Sequence, residues 1–239
     1  RFAAVFGQTY RRFLDLQKAE AQAREAQIEA ALEKVRSRTM GMQRSDELQD
    51  AALLLFQQIQ GLGVPPFACG FNIWDDDRKA ATAWMGSVTG LQVPFKTDSS
   101  KDVYLPIYEA AQRGESLFVV EQSGKELEVH YAYLATIPIF RENIMEDWKR
   151  DGISPPTFQI IHCAYFSHGY LMFITFEPAS FAYDIFKRFA KVFEQTYTRF
   201  LDLQKAEAQA REAKIETSLE RVRSRTMAMQ KSEELAETS

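Results

Sequence analysis

The sequence predicts an α+β fold in which an antiparallel β-sheet is covered by helices and lies between two long helical segments. Aromatic residues are absent from 14–55 and from 201–239, and every proline lies between Pro65 and Pro178. The central part therefore has the composition of a globular body large enough for a hydrophobic core. Within it, two neighbouring strand-like segments are apolar on both faces, so helices must cover the sheet on both sides.

The two helical segments are copies of one another. Residues 1–48 (copy 1) and 188–235 (copy 2) are identical at 38 of 48 positions, with an offset of 187. That period is too long for a solenoid repeat of roughly 20–50 residues. It indicates a domain plus a linker from a tandem array. The chain begins with Arg1 and not with Met, as we would expect of part of a longer protein.

Each copy carries apolar residues seven positions apart, a spacing typical of a left-handed coiled coil. A second apolar line, four residues after each stripe position, is poor, so the predicted two-stranded coiled coil is weak. A single solvated helix is the alternative. The stripe predicted to hold a parallel homodimer consists of Leu14, Ala21, Ile28, Val35 and Met42, and of their copies Leu201, Ala208, Ile215, Val222 and Met229.

The helical phase slips where copy 1 meets the globular body. After Met42 the pattern continues at Ser45, a small polar residue, and at Leu48, which makes two successive steps of three. Such a slip overwinds a coiled coil locally, and it is either a simple junction or a switch point between two packings. Copy 2 has Ala228 in place of Gly41, which predicts a more continuous helix.

The globular body is predicted to follow one order of elements. A helix ends at the Gly-Leu-Gly and Pro-Pro sequence after residue 60, and a β-hairpin follows. The segment 131–140 is ambiguous, because Pro138 argues against a central strand. The predicted elements are a helix at 46–60, strands at 67–74 and 80–85, a helix at 102–113, a strand at 116–121, a helix at 143–150, a hairpin at 158–167 and 170–176, and a helix from about 179.

This order resembles a GAF domain, a bacterial sensory module with an antiparallel sheet. The resemblance covers about 46–200 and includes the helix at 179–203, and it implies terminal helices that pack on one face and continue into dimeric signalling helices. The segment 219–235 resembles the connectors that precede output modules such as histidine kinases and cyclases. A PAS domain is the nearest competing fold. The expected domains are a linker helix at 1–45, a GAF-like domain at 46–187 and an exit helix at 188–239.

Composition excludes several classes of protein. The net charge of −4 comes from interspersed acids and bases, whereas nucleic-acid binding requires clustered Lys and Arg. No apolar run approaches the ~20 residues of a membrane span, and no signal peptide is visible. Cys69 and Cys163 lie in apolar runs, which favours reduced, buried thiols. We therefore expect a cytoplasmic protein.

Few residues suggest chemistry. The run Asp75–Asp77 lacks the further carboxylates of a calcium loop, so it predicts a solvated turn and no metal site. His162 and Cys163 are strand neighbours and point to opposite faces. In the bilin-binding branch of the GAF family a Cys precedes a His, the reverse of the order here, which argues against an attached tetrapyrrole. No phosphate loop or catalytic triad is visible, so we expect neither catalysis nor a cofactor.

A ligand pocket is predicted under the 102–150 segment, because aromatic rings with a few polar groups suit a small molecule. The hypothesis is a sensory or relay module that passes a conformational signal to an output domain of a two-component-type protein. The alternatives are a spacer without a ligand, and a chromophore or cyclic-nucleotide sensor. The residues predicted to line the pocket are Trp74, Trp84, His130, Tyr131, Tyr133 and His162.

Overall fold

The computed structural model describes residues 2–237, and the side chains of 6–44 and 46–227. The fold is α+β, with an antiparallel sheet covered by helices and a long C-terminal helix. The described chain divides into two compact units, Arg1–Tyr197 and Thr198–Ser239. The helices are α1 (Phe2–Met40), α2 (Leu48–Gly61), α3 (Tyr104–Gln112), α4 (Gly124–Ala135), α5 (Glu146–Arg150) and α6 (Tyr183–Glu237).

Seven strands form the sheet within the described residues, in the order β3-β2-β1-β7-β6-β5, with β4 also paired to β2. Every pairing is antiparallel. Both predicted hairpins are present, and the two short strands β3 and β4 were not predicted. The strands are β1 (Ala68–Trp74), β2 (Ala80–Ser87), β3 (Gly90–Leu91), β4 (Phe95–Asp98), β5 (Leu117–Ser123), β6 (Phe158–Phe166) and β7 (Gly169–Thr175).

Helices lie on both faces of the sheet, as its two apolar faces require. On one face, α6 packs through Phe186 and Phe193, and α2 packs against β1 and β2. Gly86 allows this close approach, because a Cβ there would lie 3.1 Å from Cα of Leu53. The other face carries a core built with α3, α4 and α5.

The segment 131–140, whose sequence was ambiguous, begins within a helix and ends at another helical segment. Tyr131 and Tyr133 lie on α4, and a π-helical segment, Phe140–Met145, follows and leads into α5. Pro138 is therefore outside the sheet. A π-helical turn widens the helix by one residue, and such turns occur frequently at functional sites.

In copy 1 the chain bends at the position of the predicted phase slip. Helix α1 ends at Met40, a 3₁₀ turn spans Ser45–Glu47, and α2 then packs back against α1. Glu47 stabilises the bend, since its Oε1 accepts hydrogen bonds from the backbone N–H groups of Gln43 (2.9 Å) and Arg44 (3.0 Å). In copy 2, α6 passes through Ala228 without a break, as predicted.

The coiled-coil stripe of copy 1 is divided. Leu14 and Ala21 are exposed, whereas Ile28, Val35 and Met42 are buried within the chain. These three side chains are thus covered by the fold of a single chain and are not open to a partner helix. In copy 2, Ala208, Ile215 and Val222 are exposed and Leu201 is partly exposed. The side chain of Met229 lies outside the described residues.

Candidate functional site

The candidate site is a small enclosed cavity of about 40 Å³ between the sheet and the layer formed by α3, α4, the π-helical segment and α5. Alternation along the strands determines which residues reach it. In β1, Asn72 lines the cavity; in β7, Met172 and Ile174 do so; in β6, Ile161 does so. Phe140 and Trp148 close the cavity from the helical layer.

Polar groups interrupt the apolar lining. Asn72 and Gln92 are buried side chains that line the cavity. The indole Nε1 of Trp148 is buried and has no hydrogen-bond partner among the described residues. A buried polar atom without a partner costs free energy, so Trp148 Nε1 gives the cavity a preference for a ligand that can accept a hydrogen bond.

His130 adds an ionisable pair to the wall of the cavity. Its Nδ1 contacts Oδ2 of Asp102, and both side chains are at least nine-tenths buried. Asp102 precedes α3 and has a positive φ of 50°, a conformation that is uncommon for residues other than glycine. The pair joins α3 to α4, because Asp102 lies at the start of one helix and His130 lies on the other.

A chain of hydrogen bonds joins α4 to the edge of the sheet. The hydroxyl of Tyr131 donates to Oε1 of Gln159 (2.8 Å), and Nε2 of Gln159 donates to Oε1 of Gln122 (2.9 Å). Burial raises the pKa of Tyr131, so its hydroxyl keeps its proton and remains the donor. This chain fixes the position of α4 above β5 and β6.

The structure brings only some of the predicted pocket residues together. His130 and Tyr131 line the cavity. Trp74 lies on the same face of the sheet, but its ring contacts Tyr108 and Tyr170 at the end of β1 and does not line the cavity. The hydroxyl of Tyr133 accepts a hydrogen bond from the backbone N–H of Asp98 (2.9 Å), next to a different cleft.

Trp84 and His162 lie on the opposite face, so the expectation that they line the pocket needs correction. Trp84 pairs with Phe71, whose ring stacks on Phe193 of α6. His162 lies against Phe186 of α6, with ring centroids 5.4 Å apart. The physical reason is the two-residue period of a strand, which moves neighbouring residues to opposite faces.

His162 is held neutral by burial, which lowers its pKa to about 4. The hydroxyl of Thr175 donates to the carbonyl oxygen of Glu177 (2.8 Å), so it accepts from Nε2–H of His162 (3.0 Å). Nδ1 of His162 then carries no proton and has no partner among the described residues. This residue belongs to the contact between sheet and helix and not to the cavity.

The cleft beside Tyr133 is larger, at about 690 Å³, and open to solvent. Its charged side chains pair with neighbours: Lys96 lies 2.5 Å from Asp75, and Lys79 lies 3.3 Å from Asp77. Acids and bases are mixed, so the cleft does not select one sign of charge. The enclosed cavity is the better candidate because its polar groups are buried, and a hydrogen bond to a buried group is stronger than one to a solvated group.

Sequence reasoning missed several residues of the site. Asn72 and Gln92 looked like ordinary polar residues, although Asn72 falls on the cavity-facing parity of β1. Asp102 carried no signal, since its contact with His130 joins two helices. Trp148, at the end of the predicted helix 143–150, was an available aromatic signal.

The solved structures that are similar to this chain include two GAF domains. One is the GAF domain of A. Aeolicus nlh2 in an inactive state, with a TM-score of 0.44 and 7% identity over 76% of this chain and 99% of that one. The other is the GAF domain from Acinetobacter phosphoenolpyruvate-protein phosphotransferase, with a TM-score of 0.36 and 10% identity over 71% and 93%. No protein-family model matches, and no curated protein matches either. Because both TM-scores lie below 0.5, the description of the fold rests on the chain's own strand order.

Two further observations bear on the environment of the protein. None of the helices in the described part of the chain is both long and apolar enough to span a membrane. Cys69 and Cys163 are free and buried, and burial raises the pKa of both thiols. Protonated, buried thiols of this kind are unreactive.

Proposed function

We propose that this chain is a GAF-like sensory or signal-relay module of a bacterial signal-transduction protein. It passes a conformational change from the enclosed cavity, through the sheet, to α6 and onward to an output domain. The observation that carries the proposal is an alternation along β1, β6 and β7. On each of these strands, one residue faces the cavity and its neighbour faces α6. A change at the cavity therefore lies one residue away from the packing of the exit helix.

The contacts on the helix side are tight enough to respond to such a change. On β1, Asn72 lines the cavity, and its neighbour Phe71 stacks on Phe193 with ring centroids 3.9 Å apart. On β7, Met172 lines the cavity, and its neighbour Phe173 stacks on Phe186 at 4.0 Å. Close-packed interfaces transmit small shifts because they cannot deform continuously.

The size of the cavity limits the ligand. A cavity needs roughly 10–15 Å³ to hold one water molecule, so a volume of about 40 Å³ holds roughly three water-sized groups. Nucleotides and tetrapyrroles need several hundred Å³, and would require the layer of α4, the π-helical segment and α5 to move outward. The geometry supports a small polar ligand with acceptor atoms for Trp148 Nε1 and the amide of Asn72.

Cavity filling tests the sensing step. In Ala83→Val the added methyl groups enter the cavity, whereas Thr82→Val changes the neighbouring residue on the opposite face. A library of small polar molecules is screened by thermal shift against the purified protein. Compounds that stabilise the original chain and Thr82→Val, but not Ala83→Val, support the cavity as the binding site. Equal stabilisation of all three proteins contradicts it.

Exchange at α6 tests the relay step. Binding of such a compound is expected to change amide hydrogen exchange in residues 183–197, because Phe186 and Phe193 pack on the strands that line the cavity. Phe71→Leu, which removes the stacked ring, should weaken this response while binding persists. If exchange along 183–197 stays the same with and without ligand, the module binds without relaying.

The proposed assembly is a homodimer formed through parallel helices in the cytoplasm, with further modules and an output domain in the longer protein. The equivalent residues Leu16 and Leu203 are exposed in both copies, and Leu14 is exposed in copy 1, so these leucines are available to a partner helix. Light scattering of the purified chain tests the dimer. A mass near 27.4 kDa at all micromolar concentrations would contradict it.

The second candidate is a structural spacer without a ligand. The small, closed cavity favours this function, because a core can hold a void of this size without using it. Mass spectrometry of small molecules released from the purified protein separates the two. A released molecule supports the sensor. Its absence, together with a negative thermal-shift screen, supports the spacer.

A further inference from the structure

The two copies of the repeat bury opposite halves of the same sequence. In copy 2, Phe193 is 0% exposed and Tyr197 is 7% exposed. Their equivalents in copy 1, Phe6 and Tyr10, are 69% and 53% exposed. This aromatic half of the repeat is thus covered in one copy and open to solvent in the other.

The aliphatic half shows the reverse pattern. In copy 1, Ile28, Leu32 and Val35 are 6%, 3% and 1% exposed. Their equivalents in copy 2 are 55%, 55% and 61% exposed, and all three are identical in type. These residues are Ile215, Leu219 and Val222.

The chain itself shows what covers each half. The aromatic half of copy 2 lies on the sheet, where Phe193 stacks on Phe71 of β1. Helix α1 carries the buried aliphatic half of copy 1 and packs against α2, and contacts at the two ends show that these helices run antiparallel. At one end Arg24 donates to the carbonyl oxygen of Leu62 (2.5 Å), and at the other Arg38 lies 2.8 Å from Asp50.

We infer that each exposed half docks on another copy of this module, linked head to tail. The aromatic half of copy 1 takes the sheet of a preceding copy, as the aromatic half of copy 2 does here. The aliphatic half of copy 2 packs on the α2 helix of a following copy. One repeat helix is then shared by two modules. The inference rests on the tandem arrangement in the proposed function and is independent of ligand binding.

The side chains that make the contacts are kept in both copies. Arg211 and Arg225 of copy 2 are the equivalents of Arg24 and Arg38, so copy 2 has the same hydrogen-bond donors for the two ends of an α2 helix. One buried contact position differs, Ala31 against Ser218. Ser218 donates to the carbonyl oxygen of Lys214 (2.8 Å), so its hydroxyl is satisfied within its own helix and can be covered.

Copy 2 can also form the bend that docking requires. In copy 1, the chain turns at Gly41 to bring α2 back onto α1. A Cβ at Gly41 would lie 3.6 Å from the carbonyl oxygens of Ser37 and Arg38, which is ordinary contact. Ala228 therefore fits the same bend, and the continuous α6 is not imposed by this substitution.

The first experiment uses the 239-residue chain. The pair Ile28→Asp and Val35→Asp should abolish cooperative thermal unfolding, because both carboxylates would be buried without partners. The pair Ile215→Asp and Val222→Asp should leave the unfolding temperature and the mass unchanged. If this second pair instead converts a dimer to a monomer, the face belongs to a second chain and the inference fails.

The decisive experiment extends the chain, with residues 43–239 placed again directly after Met229. In this two-module chain, Ile215→Asp with Val222→Asp should lower the unfolding temperature of the second module by more than about 10 °C. The matched control, Ala210→Asp with Ser224→Asp, adds the same charge at positions whose copy 1 equivalents are exposed. Equal unfolding of the two variants overturns the inference. A cavity that binds no ligand would leave this comparison unchanged.

Discussion

Copy 1 and copy 2 share 38 of 48 residues, yet α1 ends at Met40, whereas α6 continues through the equivalent residue to Glu237. They also bury different halves: copy 1 buries Ile28 and Val35, and copy 2 buries Phe193 and Tyr197. Nearly the same helix-forming sequence thus has two structures. The difference shows that tertiary contacts, and not local propensity, decide where this helix ends and which face is covered.

The largest expected difference between the copies is at the aromatic half. Phe193→Ala should cost about 3–5 kcal/mol of unfolding free energy, because the ring is fully buried and stacked on Phe71. Phe6→Ala, the same change in copy 1, should stay within about 0.5 kcal/mol, since this ring is exposed. Chemical denaturation of both variants measures the difference. Equal losses would mean that Phe6 is also covered in solution.

The aliphatic half should show the opposite preference. Leu32→Ala removes a buried side chain and should cost about 2–4 kcal/mol. Leu219→Ala should change stability by less than about 0.5 kcal/mol in the 239-residue chain, because Leu219 is exposed and alanine favours helix. Urea midpoints with unchanged slopes are the required readout. A loss at Leu219 as large as that at Leu32 would show that copy 2 is already covered in this chain.

Composition and two-residue alternation were enough to predict five of the seven strands described here, all but the short β3 and β4. The apolar faces of β6 and β7 required cover on both sides, and helices lie on both sides. The bend after Met40 was visible only as a change of spacing between Met42 and Leu48. Whether the chain bends there depends on α2 packing back onto α1. The apolar patterns of the two segments do not indicate that they pack against one another.

The site was harder to predict than the fold. His130 and Tyr131 were predicted as polar aromatics near a pocket, and both line the cavity. Trp84 and His162 were misplaced, since a residue's face depends on strand register, which the sequence leaves open by one position. Asp102 reaches His130 through the mutual placement of α3 and α4, which no local pattern encodes.

Lowering the pH tests the packing of α6 on the sheet, because His162 lies in that contact. The pKa of His162 is about 4 in the folded chain, below its ordinary value of 6.5. Between pH 4 and pH 6.5 the unfolded chain therefore binds a proton that the folded chain does not. Stability is therefore complete above pH 6.5 and falls toward pH 4, with a slope of up to about 1.4 kcal/mol per pH unit. His162→Gln should flatten the profile over this interval, whereas His168→Gln should not. An unchanged profile in His162→Gln would assign the acid sensitivity to other groups.

An ion pair joins the first residue of copy 2 to the middle of copy 1. Arg188 lies 2.6 Å from both Glu25 and Glu29, and its guanidinium lowers the pKa of Glu25. Because both carboxylates are largely exposed and the guanidinium is partly exposed, Arg188→Gln should lower the unfolding temperature only slightly, and 1 M NaCl should remove the difference. Arg199→Gln serves as the control, because it makes the same substitution at an arginine that forms no ion pair with Glu25 or Glu29 among the described residues. A large, salt-independent loss would show that the contact acts through packing.

The smallest effect is expected at the position that distinguishes the bend sequences of the two copies. Gly41→Ala makes copy 1 match Ala228 of copy 2. The φ of Gly41 is not positive, and the new Cβ would meet nothing closer than 3.6 Å, so the native conformation accepts alanine. Alanine also restricts the unfolded chain, so stability should stay equal or rise by about 0.5 kcal/mol. Thermal unfolding measures this, and hydrogen exchange of residues 48–61 reports whether α2 remains packed on α1. A loss of protection in α2 would mean that glycine, and not the packing of α2, creates the bend, and the two copies would then differ by sequence after all.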